Sequence, residues 1–223
     1  LLVKTEKGIF MGRNFDTMNG TTPELLKMIQ QNSYSVNHYR DGKLVYVAQG
    51  VLGYIGWLNG IKVGEFVLSL NKRRTHSNIL QNIVHLAEGK VPSVFVINQA
   101  LDYDESYDEA MLRLSNTHVS SVIYFVCASS TEGAIITRNV DSIDRVDYLN
   151  DWFLVQTNSD REIWDPRKDG AEKKLIALKE SGVEITYDIV MREILSKPPN
   201  WLKSTVYSTI QSVDGYFDTR YWK

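Results

Sequence analysis

The segment Gly12-Arg13-Asn14-Phe15-Asp16 sets an arginine and an aspartate three residues apart where an apolar stretch ends. Charged groups in such a place either close a structural ion pair or serve a reaction. Other chemistry-bearing residues are sparse. His38, His76, His85 and His118 lack any spacing that would put two on one helical face, which points to structural or surface roles. The one cysteine, Cys127, lies in an apolar run, where a thiol behaves as a small hydrophobe. A single cysteine also excludes an internal disulfide framework and any multi-cysteine metal site. No phosphate loop, dinucleotide fingerprint, serine elbow or zinc motif is present. Asp102, Asp104, Glu105, Asp108 and Glu109 cluster at and before an expected helix start, where they complement first-turn amides rather than hold a metal.

The elements that must position these residues follow from periodicity. Residues 1–14 read as two strands around Glu6-Lys7-Gly8, and residues 34–39 and 43–49 as a hairpin around Arg40-Asp41-Gly42. Residues 66–70 form the next strand. Between them, residues 50–60 carry four glycines among large apolar groups and read as a shaped apolar loop. Its Tyr54, Ile55, Trp57 and Leu58 suit an acyl-chain site and would equally fill a core. Helices are expected over residues 78–88, stopped by Gly89, and over 105–114. Apolar strands follow at 122–127, 134–138 and 152–157, with a shorter one near Val146. Helices over 172–180 and 187–195 end before Pro198-Pro199, and a hairpin over 205–213 and 216–221 turns at Asp214-Gly215. Strands, helices, strands, helices, strands predict an α+β domain over residues 1–223, two antiparallel sheets covered by helices.

Composition sets the outer limits. The 223 residues are 43% hydrophobic and 23% charged, enough to bury one large core. With 25 basic against 27 acidic side chains, the formal charge of -2 offers no global attraction for nucleic acid. No apolar run approaches the roughly 18 residues of a spanning helix, so a soluble or peripheral protein is expected. The chain opens on Leu1, without methionine or secretion signal, and its apolar start implies a natural beginning further upstream.

The motifs Gly12-Arg13-Asn14-Phe15-Asp16, Gly53-Tyr54-Ile55-Gly56-Trp57-Leu58-Asn59-Gly60, residues 66–71, Glu132-Gly133 with Ile136-Thr137-Arg138-Asn139, and Val155-Gln156-Thr157-Asn158 stand in this order. Leu195-Ser196-Lys197-Pro198 and Thr205-Val206-Tyr207-Ser208-Thr209 complete the series. Taken together, the chain resembles the acid ceramidase and N-acylethanolamine acid amidase family of N-terminal-nucleophile hydrolases over essentially its whole length. The resemblance implies an αββα sandwich and a precursor that cleaves itself before a cysteine. That cysteine is then the nucleophile and its α-amine, titrating near 8, the general base. It is expected one or two positions before Leu1. Arg13 and Asp16 match the pair that holds the terminal cysteine, and Asn158 matches the oxyanion donor, a role worth about 3 kcal/mol in comparable enzymes. Cys127 matches a later strand, not the nucleophile.

Two departures from the family pattern stand out. Lys72 replaces a glutamate, and Lys168-Asp169-Gly170-Ala171 stands where the family has Asp-Asp-Arg-Arg, a charge reversal and a lost arginine. The run Lys72-Arg73-Arg74 also suits an anionic lipid headgroup. The resemblance implies hydrolysis of N-acyl lipid amides, ceramide-like first and N-acylethanolamine second, without metal or cofactor. The alternative is an inactive family member that binds lipid or acts as a scaffold. Implied partners are a cleaved α subunit from the same precursor, the N-acyl lipid and a membrane surface by peripheral contact. A lysosomal or secretory location is implied, with a cytosolic one as the alternative, and Asn19-Gly20-Thr21 is an acceptable glycosylation sequon.

Overall fold

A computed structural model of the chain describes residues 1–17, 21–75 and 78–222. His76 and Asn19 lie outside the described residues. β1 (Leu2–Thr5) and β2 (Gly8–Asp16) pair antiparallel, with Leu2 opposite Met11 and Val3 opposite Phe10. Alternation sends Val3 and Phe10 to one face and Leu2, Ile9 and Met11 to the other, and both faces are buried. That is the signature of a sheet with a layer on each side.

Two antiparallel sheets result. The seven-stranded one runs in chain order: β3 (Ser33–Arg40), β4 (Lys43–Val51), β5 (Asn59–Lys62), β6 (Phe66–Lys72), β7 (Ile123–Ala128), β8 (Gly133–Arg138) and β9 (Ile143–Tyr148). The five-stranded sheet instead joins distant segments: β10 (Phe153–Leu154) flanks β1, and β2 pairs with β11 (Thr205–Ser212), which is followed by β12 (Phe217–Tyr221). Leu2, Met11, Ile61, Val67, Tyr124 and Ile135 fill the space between the sheets. Within it Asn59 Nδ2 donates to Gln211 Oε1 at 3.0 Å and Gln211 Nε2 to the Leu68 carbonyl at 3.2 Å, so buried amides satisfy one another across the sandwich.

Helices close both outer faces. α3 (Ser93–Tyr103) and α4 (Tyr107–Asn116) lay Val96, Ile97, Leu101 and Leu114 on the larger sheet. α5 (Pro166–Glu180) and α6 (Tyr187–Val190), the latter continuing as a π-helical turn over Met191–Leu195, lay Leu175, Val190 and Ile194 against Val3, Phe10 and Ile210. α1 (Pro23–Gln31) and α2 (Ile79–Ala87) bury no residue fully. The expected α+β αββα sandwich is the observed architecture. No helix among the described residues is long and apolar enough to cross a membrane.

The structure corrects several expectations. Residues 50–60 are not all loop: Gly50 and Val51 end β4, and Asn59 and Gly60 begin β5. Gly60 is glycine because a Cβ there would stand 2.7 Å from Leu101 Cδ1 and 2.9 Å from the Val47 carbonyl. Of residues 152–157 only Phe153–Leu154 pair as strand. Asp102 lies inside α3, and Asp104 caps its end while meeting Arg113 Nη2 at 2.5 Å, so these acids straddle two helices rather than precede one. Gly170 has a packing reason, since a Cβ would approach the Pro199 ring to 2.7 Å.

Candidate active site

The end of β2 projects side chains alternately to the two faces of its sheet. Arg13 points toward the larger sheet, where Nη1 donates to the Leu58 carbonyl at 2.6 Å. Asn14 and Asp16 point toward the helices. Asn14 Nδ2 donates to the carbonyls of Leu195 and Asn200, both at 2.9 Å, and its Oδ1 accepts from Ser208 Oγ at 2.6 Å. Asp16 accepts from Thr205 Oγ1 at 2.6 Å and faces Arg167 Nη1 at 3.7 Å. Strand alternation therefore separates Arg13 from Asp16, and the ion pair considered from their spacing is replaced by one between Asp16 and Arg167. Arg13 is only 9% exposed, and its Nε is buried without a partner among the described residues.

Asn158 reaches the same place from the turn after β10. Its Nδ2 donates to the Lys72 carbonyl at 2.9 Å, while Oδ1 accepts from Arg167 Nη2 at 3.0 Å. The acceptor on one side and the donor on the other fix which way the amide faces, and among the described residues the second Nδ2 hydrogen remains for another acceptor. The main chain is held as well, because Arg74 N–H donates to the Asn158 carbonyl at 2.9 Å.

Arg167 is the residue that sequence reasoning missed. It follows Pro166 at the start of α5, whose N-cap Asp165 accepts from the Arg167 N–H at 2.9 Å. The guanidinium folds back so that Nε and Nη2 donate to Asp165 at 3.3 and 3.1 Å. Thr157 Oγ1 and Ser159 Oγ add donors at 2.8 and 3.1 Å. These contacts outweigh burial and hold the Asp165 carboxyl well below the usual carboxylate range. The arginine that seemed lost near Gly170 is thus present in the site three residues earlier. The capping pattern Asp-Pro ahead of a helical run was the signal for it.

Together these groups line a cavity of about 600 Å³, within the usual range for a ligand site. Arg13, Asn14, Asp16, Lys72, Asn158 and Arg167 give it charged and amide groups, and Leu1 and Gly12 line it too. Burial pushes the Asp16 carboxyl up, against the pull of Thr205, Arg167, Arg13 and Arg74. Of the apolar candidates, Tyr54 and Leu58 line the cavity, together with Leu25, Ile29, Val51 and Leu52. Ile55 and Trp57 do not. Ile55 is 75% exposed, and Trp57 packs into the core with its Nε1 3.4 Å from Tyr46 Oη.

Other candidates stay away from this cavity. Cys127 is buried in β7 and burial pushes its thiol up, which suppresses the reactive thiolate. His118 meets Asp141 at 2.8 Å, His85 lies 3.1 Å from the Ser120 carbonyl, and His38 stacks on Tyr46. Arg73 is committed to Asp144 at 2.7 Å and Asp160 at 2.6 Å, so it is not available to a headgroup. Among the described residues no three His, Cys, Asp or Glu side chains converge as metal ligands.

No protein-family profile matches the chain. It is 31% identical to acid ceramidase of Balaenoptera acutorostrata scammoni over 95% of its own length and 56% of that protein. It is 35% identical to N-acylethanolamine-hydrolyzing acid amidase of Caenorhabditis elegans over 91% of its length and 57% of that protein. The chain thus spans about half the length of the curated relatives it matches. The solved structure of the Caenorhabditis elegans N-acylethanolamine-hydrolyzing acid amidase ortholog superposes with a TM-score of 0.80 at 30% identity, covering 96% of this chain and 92% of that one.

Proposed function

The chain belongs to the acid ceramidase and N-acylethanolamine acid amidase family, and from that premise we propose that it is the catalytic portion of an N-acyl lipid amide hydrolase acting through an N-terminal cysteine. The observation that carries this reading is the cavity at the head of β1. Gly12 N–H donates to the Leu1 carbonyl at 2.9 Å, continuing the register that sets Leu2 opposite Met11. Extended upstream, the same register puts the residue before Leu1 opposite Arg13 and the one before that opposite Asn14. We propose that a cysteine at the first of these places, on the Arg13 side of the sheet, or at the second, on the Asn14 side, reaches the cavity that Arg13, Asp16 and Asn158 line.

The chemistry follows from that placement. The cysteine sulfur attacks the amide carbonyl while its α-amine takes the thiol proton. The oxygen gains charge, and the second Nδ2 hydrogen of Asn158 is placed to stabilise it, with Arg167 fixing the amide through Oδ1. Collapse breaks the C–N bond, the protonated α-amine returns its proton to the leaving amine, and a thioester remains. Water, deprotonated by the same amine, then releases the fatty acid. Arg13 and Asp16 position the cysteine, and the surface from Leu25 to Leu58 takes the acyl chain.

Ceramide-like lipids are proposed as the leading substrates, with N-acylethanolamine second. The missing half of the relatives' length is proposed to include an α subunit released by cleavage before the cysteine, and the location to be lysosomal or secretory. The test expresses the precursor with its upstream segment and supplies labelled ceramide and N-palmitoylethanolamine. Fatty acid released from either, and abolished by replacing the upstream cysteine with alanine, supports the reading. Release from neither overturns it and leaves a lipid-binding or scaffold role.

A further inference from the structure

The cavity carries an excess of positive charge in a chain whose formal charge is -2. Arg13, Lys72 and Arg167 line it against one lining carboxylate, Asp16, and Asp165 behind them is the bidentate partner of Arg167. That leaves Arg13 and Lys72 opposing Asp16, and Arg74 adds a further cation close enough to draw on the same carboxylate.

Lys72 differs from its neighbours in how it is used. Its main chain is fixed at the end of β6, opposite Ile123, and its carbonyl accepts from the Asn158 amide. Its ammonium makes no hydrogen bond or ion pair among the described residues, whereas Arg73 next to it is saturated by two aspartates. An exposed lysine ammonium, without a partner among the described residues, is therefore carried by a residue that lines the cavity and whose main-chain carbonyl accepts from the amide assigned to the developing oxyanion. A carboxylate two bonds beyond a scissile amide nitrogen lies within reach of such a side chain.

We propose that the cavity takes N-acyl lipids whose amine portion is anionic, such as N-acyl amino acids, and that Lys72 recognises their carboxylate. This rests on the amide-hydrolase reading above. It adds a substrate class to that reading, with the acyl chain in the apolar half and the acidic amine at the Lys72 end.

The same cation would also meet an anionic phospholipid of a membrane presenting the substrate, so the experiment separates the two sources. The processed full-length enzyme is given N-palmitoylglycine and N-palmitoylethanolamine, which share an acyl chain, first in neutral detergent micelles and then in vesicles with or without phosphatidylserine. In micelles kcat/KM should favour the glycine conjugate by about fivefold, the upper end for one exposed ion pair. The ratio should shrink as salt is raised. Lys72→Glu should lower it by about tenfold or more and Lys72→Met by about threefold, both through KM. Hydrolysis of the ethanolamide without a preference for the glycine conjugate overturns this proposal alone, while hydrolysis of neither overturns the amidase reading with it. Equal stimulation of both substrates by phosphatidylserine, lost in Lys72→Glu, assigns the lysine to the membrane surface and also overturns the proposal.

Discussion

Replacing Arg167 with methionine removes two guanidinium bonds to Asp165 and one to Asn158 while keeping the aliphatic stem. Asp165 has a side chain only 4% exposed, so its carboxylate loses its counterion in a place water barely reaches. Breaking one partner of such a buried pair costs about 3–5 kcal/mol. Three donors to Asp165 survive, from Thr157 Oγ1, Ser159 Oγ and the main chain of Arg167, which puts the expectation at the low end, about 3 kcal/mol. In a domain of this size that lowers Tm by roughly 6–12 °C. The loss should also depend on pH. In the native protein Asp165 is held below its ordinary range, so its contribution is complete above the unfolded value near 3.9 and fades as pH falls through the folded one. Without Arg167 the carboxyl titrates higher, so the gap between variant and parent narrows as pH falls from 7 toward 3. Urea unfolding of both proteins at several pH values measures it. A loss below about 1 kcal/mol at pH 7, or a gap that does not change with pH, refutes the reasoning.

Other consequences are open to simpler measurements. Asn158→Ala should lower kcat by about 10²–10³ with little change in stability, because in the proposed mechanism it removes a donor from the developing oxyanion, and steady-state kinetics with unfolding curves read both. Gly60→Ala should destabilise by about 1–3 kcal/mol through overpacking against Leu101 and the Val47 carbonyl, seen as a lower unfolding midpoint. Cys127 should resist thiol reagents until the protein unfolds, and Cys127→Ala should retain hydrolysis, both followed by mass spectrometry and assay.

Much of this fold was legible in the chain because alternation and turn chemistry are local. Asp41-Gly42 and Asp214-Gly215 announced their hairpins, and Cys127 sat where its strand was expected. The failures have physical causes. Residues 93–97, Ser-Val-Phe-Val-Ile, carry strand-favouring side chains, yet burial of Val96, Ile97 and Leu101 on the larger sheet makes them helix, a tertiary override of propensity. β5 was hidden because Asn59 and Gly60 resemble turn residues until Gln211 and Leu101 are brought against them. At the site, the resemblance named Arg13, Asp16 and Asn158, which line one cavity, but Arg167 depended on its guanidinium folding back over Asp165 and on contact with a strand from the other end of the chain. Trp57 suited an acyl-chain site and a core equally, and packing against Tyr46 and the core decides for the second.

The central claim is that an acyl group passes through a cysteine upstream of Leu1 in the cavity of Arg13, Asp16 and Asn158. Rapid acid quench of the processed enzyme with a labelled N-palmitoyl substrate, followed by mass spectrometry of the N-terminal peptide, tests it directly. The account predicts a palmitoyl thioester on a terminal cysteine one or two residues before Leu1, accumulating further in Asn158→Ala if deacylation also needs that amide. Turnover that persists with that cysteine replaced, or an acyl group trapped on Cys127 or any other side chain, contradicts it.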